Sequence, residues 1–110
     1  MITPRRYASV IGLRPEHEQE YRELHAAVWP SVLKTIADCN LRNYSIYLYN
    51  GLLFSYYEYV GDDREADLAR MAADPETQRW WTLTSPCQEP VPGTPEGTGW
   101  LEIQEVFHTD

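Results

Sequence analysis

The first apolar run, Arg5 to Leu13, reads Arg-Arg-Tyr-Ala-Ser-Val-Ile-Gly-Leu and predicts a strand. It ends at Gly12-Leu13-Arg14-Pro15, and a proline is tolerated in the first turn of a helix, so the first helix starts near Pro15. From there Tyr21, Leu24, His25, Val28 and Val32 recur at three- and four-residue steps. Glu16, Glu18, Glu20, Arg22 and Glu23 fall mostly elsewhere on the wheel, the pattern of an amphipathic helix. Pro30 lacks an amide donor and crowds the preceding turn, so Trp29-Pro30 predicts a kink or a restart. The element closes around Asp38-Cys39-Asn40.

Two apolar runs, Tyr44 to Tyr49 and Leu52 to Val60, flank Asn50-Gly51, the strongest short hairpin signal. A two-residue turn sets Tyr49 against Leu52, Leu48 against Leu53, Ile46 against Ser55 and Tyr44 against Tyr57. Tyr44, Ile46, Leu48, Leu53, Ser55 and Tyr57 then share one face, and Ser45, Tyr47, Tyr49, Leu52, Phe54 and Tyr56 the other. Helices can cover one face. The other is too aromatic for water, and a second copy of the same sheet is its simplest cover, which predicts an isologous homodimer.

Gly61-Asp62-Asp63 ends the hairpin and caps a helix reaching Ala72. Asp74-Pro75-Glu76 supplies a cap, a proline and an acidic first turn for a second helical piece, which carries Trp80-Trp81. Ser85 to Gly99 holds four prolines and three glycines and reads as a loop, before a short strand around Leu101 to Phe107. The string is βαββαβ, and its 110 residues make one domain, 1–110.

The net charge of -8 repels phosphate backbones and anionic lipids, which argues against nucleic-acid and membrane partners. No run approaches the roughly 20 apolar residues of a membrane span, and the N-terminus lacks the apolar region of a signal peptide, so a cytoplasmic protein is expected. Cys39 and Cys87 form no C-x-x-C pair and read as ordinary reduced cysteines, with no metal site implied. Zincin, α/β-hydrolase, P-loop and dinucleotide motifs are absent.

What remains is Tyr21, His25 and Trp29 at i, i+4 and i+8, along one side of the first helix. A tyrosine beside a histidine orients it or shares a substrate hydroxyl with it. The plainer reading makes His25 a satisfied core or interface histidine, Trp80 and Trp81 packing residues, and Tyr44 a sheet residue. His17 among glutamates reads as solvated and His108 as terminal. Glu105 is either a surface carboxylate or a partner inside a pocket. On motif content alone the function stays open.

Four segments, taken in order, narrow it: Tyr21-Arg22-Glu23-Leu24-His25-Ala26-Ala27-Val28-Trp29-Pro30, Arg42-Asn43-Tyr44-Ser45-Ile46-Tyr47-Leu48, Gln78-Arg79-Trp80-Trp81 and Gln104-Glu105-Val106-Phe107. Together they resemble the L-rhamnose mutarotase family over nearly the whole chain. The resemblance implies an α+β, ferredoxin-like protomer, an antiparallel sheet with helices on one face, paired into a dimeric α/β barrel. It implies cofactor-free interconversion of the α and β anomers of a 6-deoxy-hexose. By this resemblance His25 would be the catalytic proton donor and Tyr21, Tyr44, Trp80 and Trp81 would line the sugar pocket; beside it, Trp29 and Glu105 are candidate supporting residues, and the second proton falls to Glu105, a tyrosine or water.

Opening a pyranose delivers a proton to the ring oxygen while one leaves the anomeric hydroxyl, and reclosure after bond rotation gives the other anomer. A group titrating near neutrality serves both directions, and histidine is the default choice. Indole faces suit the C–H side of the ring and the C6 methyl, and tyrosine hydroxyls suit the sugar hydroxyls. Ala26-Ala27 and the proline-rich loop depart from the family's pattern and bear on the substrate, so L-fucose or another 6-deoxy sugar is an alternative. A cofactor-less dimeric-barrel monooxygenase and a non-catalytic binding protein are the alternatives from other classes.

Overall fold

The computed structural model describes residues 3–110. Its elements run β1 (Arg5–Leu13), α1 (Glu18–Ala26), α2 (Pro30–Asp38), β2 (Leu41–Tyr49), β3 (Leu52–Tyr59), α3 (Arg64–Ala73), α4 (Pro75–Thr84), β4 (Gln88–Glu89) and β5 (Leu101–Ile103). The strands form one antiparallel sheet in the order β2-β3-β1, with β4 and β5 paired one after the other along the remaining edge of β1. This is the ferredoxin-like arrangement read from the βαββαβ string.

The predicted stop at Trp29-Pro30 is a full restart. α1 ends at Ala26, the backbone at Trp29 is extended (φ -62°, ψ 135°), and Pro30 opens α2 as its first residue. Both aspartate caps form: Asp63 accepts a hydrogen bond from the Ala66 amide, and Asp74 accepts one from Thr77 ahead of Pro75.

Asn50 and Gly51 both take positive φ, 52° and 74°, as the tight hairpin turn requires. The expected register holds from Tyr49 opposite Leu52 to Ser45 opposite Tyr56. It then slips by one residue at a bulge between Arg42 and Ser45, where Asn43 enters the left-handed region at φ 50°. Tyr44 therefore has no direct partner in the ladder, although its ring stays 5.8 Å from that of Tyr57. The bulge also explains why β2 begins at Leu41, three residues before the apolar alternation suggested.

The final strand differs more. Its pairing stops at Ile103, and the preceding loop contributes the two-residue strand β4 against Gly12 and Leu13. Gly12 is needed there, because a Cβ on it would sit 2.7 Å from the Glu89 carbonyl oxygen.

The face of β1 and β3 bearing Ile11, Leu13, Leu53 and Tyr59 is buried against the helices, in clusters that include Tyr21, Cys87, Cys39 and Met71. On the opposite face Tyr47, Phe54, Val10 and Leu101 form a cross-strand row, with Ile103 in the next. Tyr47 and Tyr49 are 63% and 76% exposed there, and Val106 and Phe107 beyond β5 are also open to solvent. The hairpin's second face therefore lacks cover within the protomer, as its composition suggested.

One polar lock ties this sheet to α3. The Tyr59 hydroxyl, on a residue with no exposed surface, donates to Asp67 Oδ2 at 2.5 Å and accepts from the Asp63 amide. Asn40 and Arg70 also donate to Asp67. The hydrogen bond from Tyr59, then that from Asn40, hold the Asp67 carboxyl below its ordinary range. A depressed folded-state pKa contributes stability that is present above the unfolded value, about 3.9, and is lost as pH falls through the folded one. Tyr59→Phe is expected to lower the thermal midpoint at neutral pH and to flatten the loss of stability below about pH 4, measured by calorimetry across pH. An unchanged acid profile would contradict this.

Candidate active site

His25 stands in the last turn of α1, one turn after Tyr21, which is the buried residue of that helix. Its ring stacks on Tyr21 with centroids 4.1 Å apart and meets Trp80 of α4 edge-on at 5.4 Å. Trp29, at the start of α2, meets the other side of Trp80 at 5.2 Å. The helix spacing read in the sequence thus becomes an aromatic stack, with Trp29 behind Trp80.

The His25 ring is oriented by the main chain. Its Nδ1 lies 2.9 Å from the Tyr21 carbonyl oxygen. A carbonyl only accepts, so Nδ1 carries a proton and Nε2 is the nitrogen free for a ligand.

Tyr21, His25, Tyr44, Trp80 and Trp81 line one cavity of about 640 Å³ between the sheet and helices α1, α3 and α4. A second hollow of about 360 Å³ shares His25, Tyr44, Trp80 and Trp81 and continues toward α2. Trp80 is buried, at 5% exposure, and Trp81 stands at the mouth at 39%. The Tyr21 hydroxyl accepts a long bond, 3.4 Å, from Gln88, and burial pushes its pKa up to about 12. Tyr44 keeps 40% of its surface exposed, yet burial, with a smaller effect from Tyr57, pushes its phenol up to about 12 as well. The two observations agree if the open part is ring and the enclosed part is hydroxyl. Both phenols are then donors across the neutral range.

Glu105 is elsewhere. It pairs with Arg6 at 3.1 Å and lines a separate groove with Ala8, Tyr56, Phe107 and His108. Of its two sequence readings, the surface carboxylate is the one found within the protomer. His108 bonds Asp110 in the terminal segment.

The sequence reading missed several cavity residues. Tyr57, which it placed on the same sheet face as Tyr44, lines the cavity, as do Ser9 and Ser55, whose hydroxyls are 2.5 Å apart. Arg64 and Glu102 come from the first residue of α3 and from β5, and no motif marked them. Gln88, Gly97, Gly99 and Trp100 bring the proline-rich segment into the wall. Ala26 and Ala27 are not among the lining residues.

Among the described residues, His17, Glu20 and Cys87 place three ligating atoms within 4.8 Å of one another. Burial pushes the Cys87 thiol up, and it donates to the Leu83 carbonyl, while His17 bonds Glu20. A thiol held protonated is a poor metal ligand.

Comparison with known proteins gives this arrangement its context. The family model described as L-rhamnose mutarotase matches residues 6–109. The L-rhamnose mutarotase of Phocaeicola vulgatus is 33% identical over 108 residues, spanning 96% of this chain and 99% of its own. Among solved structures, an L-rhamnose mutarotase from Formosa agariphila superposes with a TM-score of 0.74 at 22% identity, covering 96% of this chain and 99% of that one. The tetracenomycin F2 cyclase of Streptomyces glaucescens reaches 0.70 at 14% identity over the same shares, so the fold alone does not choose a chemistry. The sequence does choose: matched almost from end to end, through the helices and strands that build the cavity, this chain belongs to the L-rhamnose mutarotase family.

Proposed function

We infer that the protein interconverts the α and β anomers of L-rhamnopyranose by acid/base ring opening and reclosure, with His25 as the catalytic proton donor. One observation carries the role of His25: its Nδ1 is committed to the Tyr21 carbonyl, leaving Nε2 to exchange a proton inside a cavity walled by Tyr21, Tyr44, Trp80 and Trp81.

In the forward direction a proton passes to the ring oxygen, the bond from that oxygen to the anomeric carbon breaks, and the anomeric hydroxyl gives its proton to a solvent water. The open aldehyde turns about its first carbon–carbon bond and recloses on the other face, returning both protons. Protonated His25 supplies the first proton through Nε2, and the neutral ring accepts it back. Trp80 and Trp81 offer flat apolar faces to the sugar's C–H side, and the protonated phenols of Tyr21 and Tyr44 donate to its oxygens. Trp29 supports the site by backing Trp80. No step needs a cofactor. Gly97, Gly99 and Trp100 in the wall make the proline-rich segment part of substrate selection, so L-fucose and other 6-deoxy sugars belong in any assay panel.

The working form is a homodimer in which the outer sheet faces of two copies meet. Support comes from Tyr47, Tyr49 and Ile103, which lie exposed on that face, since burying apolar area contributes about 25 cal/mol per Å². No helix among the described residues is long and apolar enough to cross a membrane. Cys39 and Cys87 are buried and free, which fits the reducing cytoplasm.

His25→Ala is expected to lower anomer exchange by about 10²- to 10⁴-fold while the fold survives. Exchange NMR on the anomeric protons of L-rhamnose and L-fucose, with thermal midpoints, checks this against His17→Ala and His108→Ala, which should be silent in both assays. A variant that loses stability but keeps the parent rate would return His25 to a structural role.

Sedimentation at micromolar concentration should show a dimer, and Phe54→Glu should give monomer or aggregate, because the new charge has no partner in the seam. A monomeric parent would refute the paired-sheet assembly.

A further inference from the structure

Arg64 is placed by more contacts than a helix-end arginine needs. Its guanidinium lies over the Tyr7 ring, 3.7 Å from the centroid. Nε and Nη2 donate to the Tyr57 hydroxyl oxygen at 2.8 and 2.6 Å, and Nη2 also donates to Glu102 Oε1 at 2.6 Å. Three of these residues, Tyr57, Arg64 and Glu102, line the same cavity as His25. They stand on its β3, α3 and β5 side, whereas His25 and Trp80 stand on its α1 and α4 side.

Hydrogen-bond accounting at Tyr57 leaves one group over. A phenol has two acceptor lone pairs and one proton, and guanidinium only donates. Arg64 therefore occupies both lone pairs, and the Tyr57 proton must point away from it. That hydroxyl has no acceptor among the described residues. Glu102 Oε2 is likewise unengaged, since Arg64 binds only Oε1. One nitrogen, Nη2, bonds both the phenol and the carboxylate, so the Tyr57 hydroxyl and the Glu102 carboxylate, whose side chain is 59% exposed, are held at the same guanidinium.

We propose that Tyr57 and Glu102, held in place by Arg64, form a second binding subsite that reads one hydroxyl group of the sugar. The bound hydroxyl accepts from the Tyr57 O–H and donates to Glu102 Oε2. Because the arginine charge is matched by the carboxylate, the subsite suits a neutral hydroxyl and disfavours a phosphate or carboxylate, whose charge would face Glu102. Burial raises the Tyr57 phenol above its ordinary value against the opposing pull of Arg64, which keeps it a donor at neutral pH. Arg64 acts as a positioning residue. The inference rests on the mutarotase reading and deepens it, for it separates hydroxyl recognition from the proton transfer at His25.

The test compares anomer exchange by the parent, Tyr57→Phe and Glu102→Gln with L-rhamnose and its 2-, 3- and 4-deoxy analogues. Losing one hydrogen bond at each change, both variants should raise KM for L-rhamnose about 3- to 10-fold with kcat nearly unchanged. For the one deoxy analogue that lacks the hydroxyl read here, parent and variants should share the same KM. A structural role alone would lower the thermal midpoint without this substrate-specific split. If the parent is active and both variants keep the parent KM on every sugar, the subsite is wrong and the mutarotase reading stands. If the parent leaves exchange at the uncatalysed rate on every sugar, that reading falls and the subsite falls with it.

Discussion

Pairing of β1 with β3 sets Tyr7 against Tyr57, Ser9 against Ser55 and Ile11 against Leu53, all on the face turned toward the helices. Side chains alternate with a period of two, so a one-residue slip of β3 would turn Ser55 and Tyr57 outward and bring Phe54 and Tyr56 under the helices. The cavity would then lose its hydroxyl-bearing floor, and the outer face its apolar row. Two local devices fix the neighbouring pairings. The Asn50-Gly51 turn fixes β3 against β2, and Gly12 lets β4 approach β1 so closely that no larger residue fits. The positions of the β1 and β3 side chains in the cavity, Ser9, Ser55 and Tyr57, follow from this one alignment.

Upon that floor the walls divide by chemistry. Trp80, Trp81 and His25, with the Tyr21 phenol, stand on the α1 and α4 side, and Arg64, Tyr57 and Glu102 on the other. A 6-deoxy sugar divides in a similar way, with a methyl group and C–H faces against a ring of hydroxyls. On the proposed reading the match gives the ring a preferred way to lie, and a preferred orientation is what brings one oxygen to one nitrogen repeatedly.

Much of this was legible in the chain because the signals were local. The i, i+4, i+8 series placed His25 between Tyr21 and the Trp29 support, Asn-Gly fixed the hairpin, and two Asp-containing caps marked α3 and α4. Resemblance added Tyr44, Trp80 and Trp81, which spacing alone left as packing residues. The misses were non-local. The bulge at Asn43 depends on how β2 meets β3, not on any turn dipeptide, and β4 forms only because the loop passes the edge of β1. Arg64 and Glu102 are 38 residues apart and carry no local signal until α3 and β5 bring them together. Glu105 left two readings open because alternation along a last strand to Phe107 could not say which side it faces, whereas pairing ends at Ile103 and within the protomer Glu105 meets Arg6.

The partner of His25 Nδ1 is a main-chain oxygen. In many acid/base sites a carboxylate side chain holds the imidazole, and one point mutation removes it. Here substitution at position 21 changes the ring beneath the histidine but leaves the acceptor where the helix puts it. The tautomer is thus buffered against drift in neighbouring side chains, and the cavity walls are free to diverge while the nitrogen proposed to handle the proton keeps its aim. A lineage built this way can retune which sugar it holds without rebuilding its chemistry, for the orientation is inherited with the helix itself.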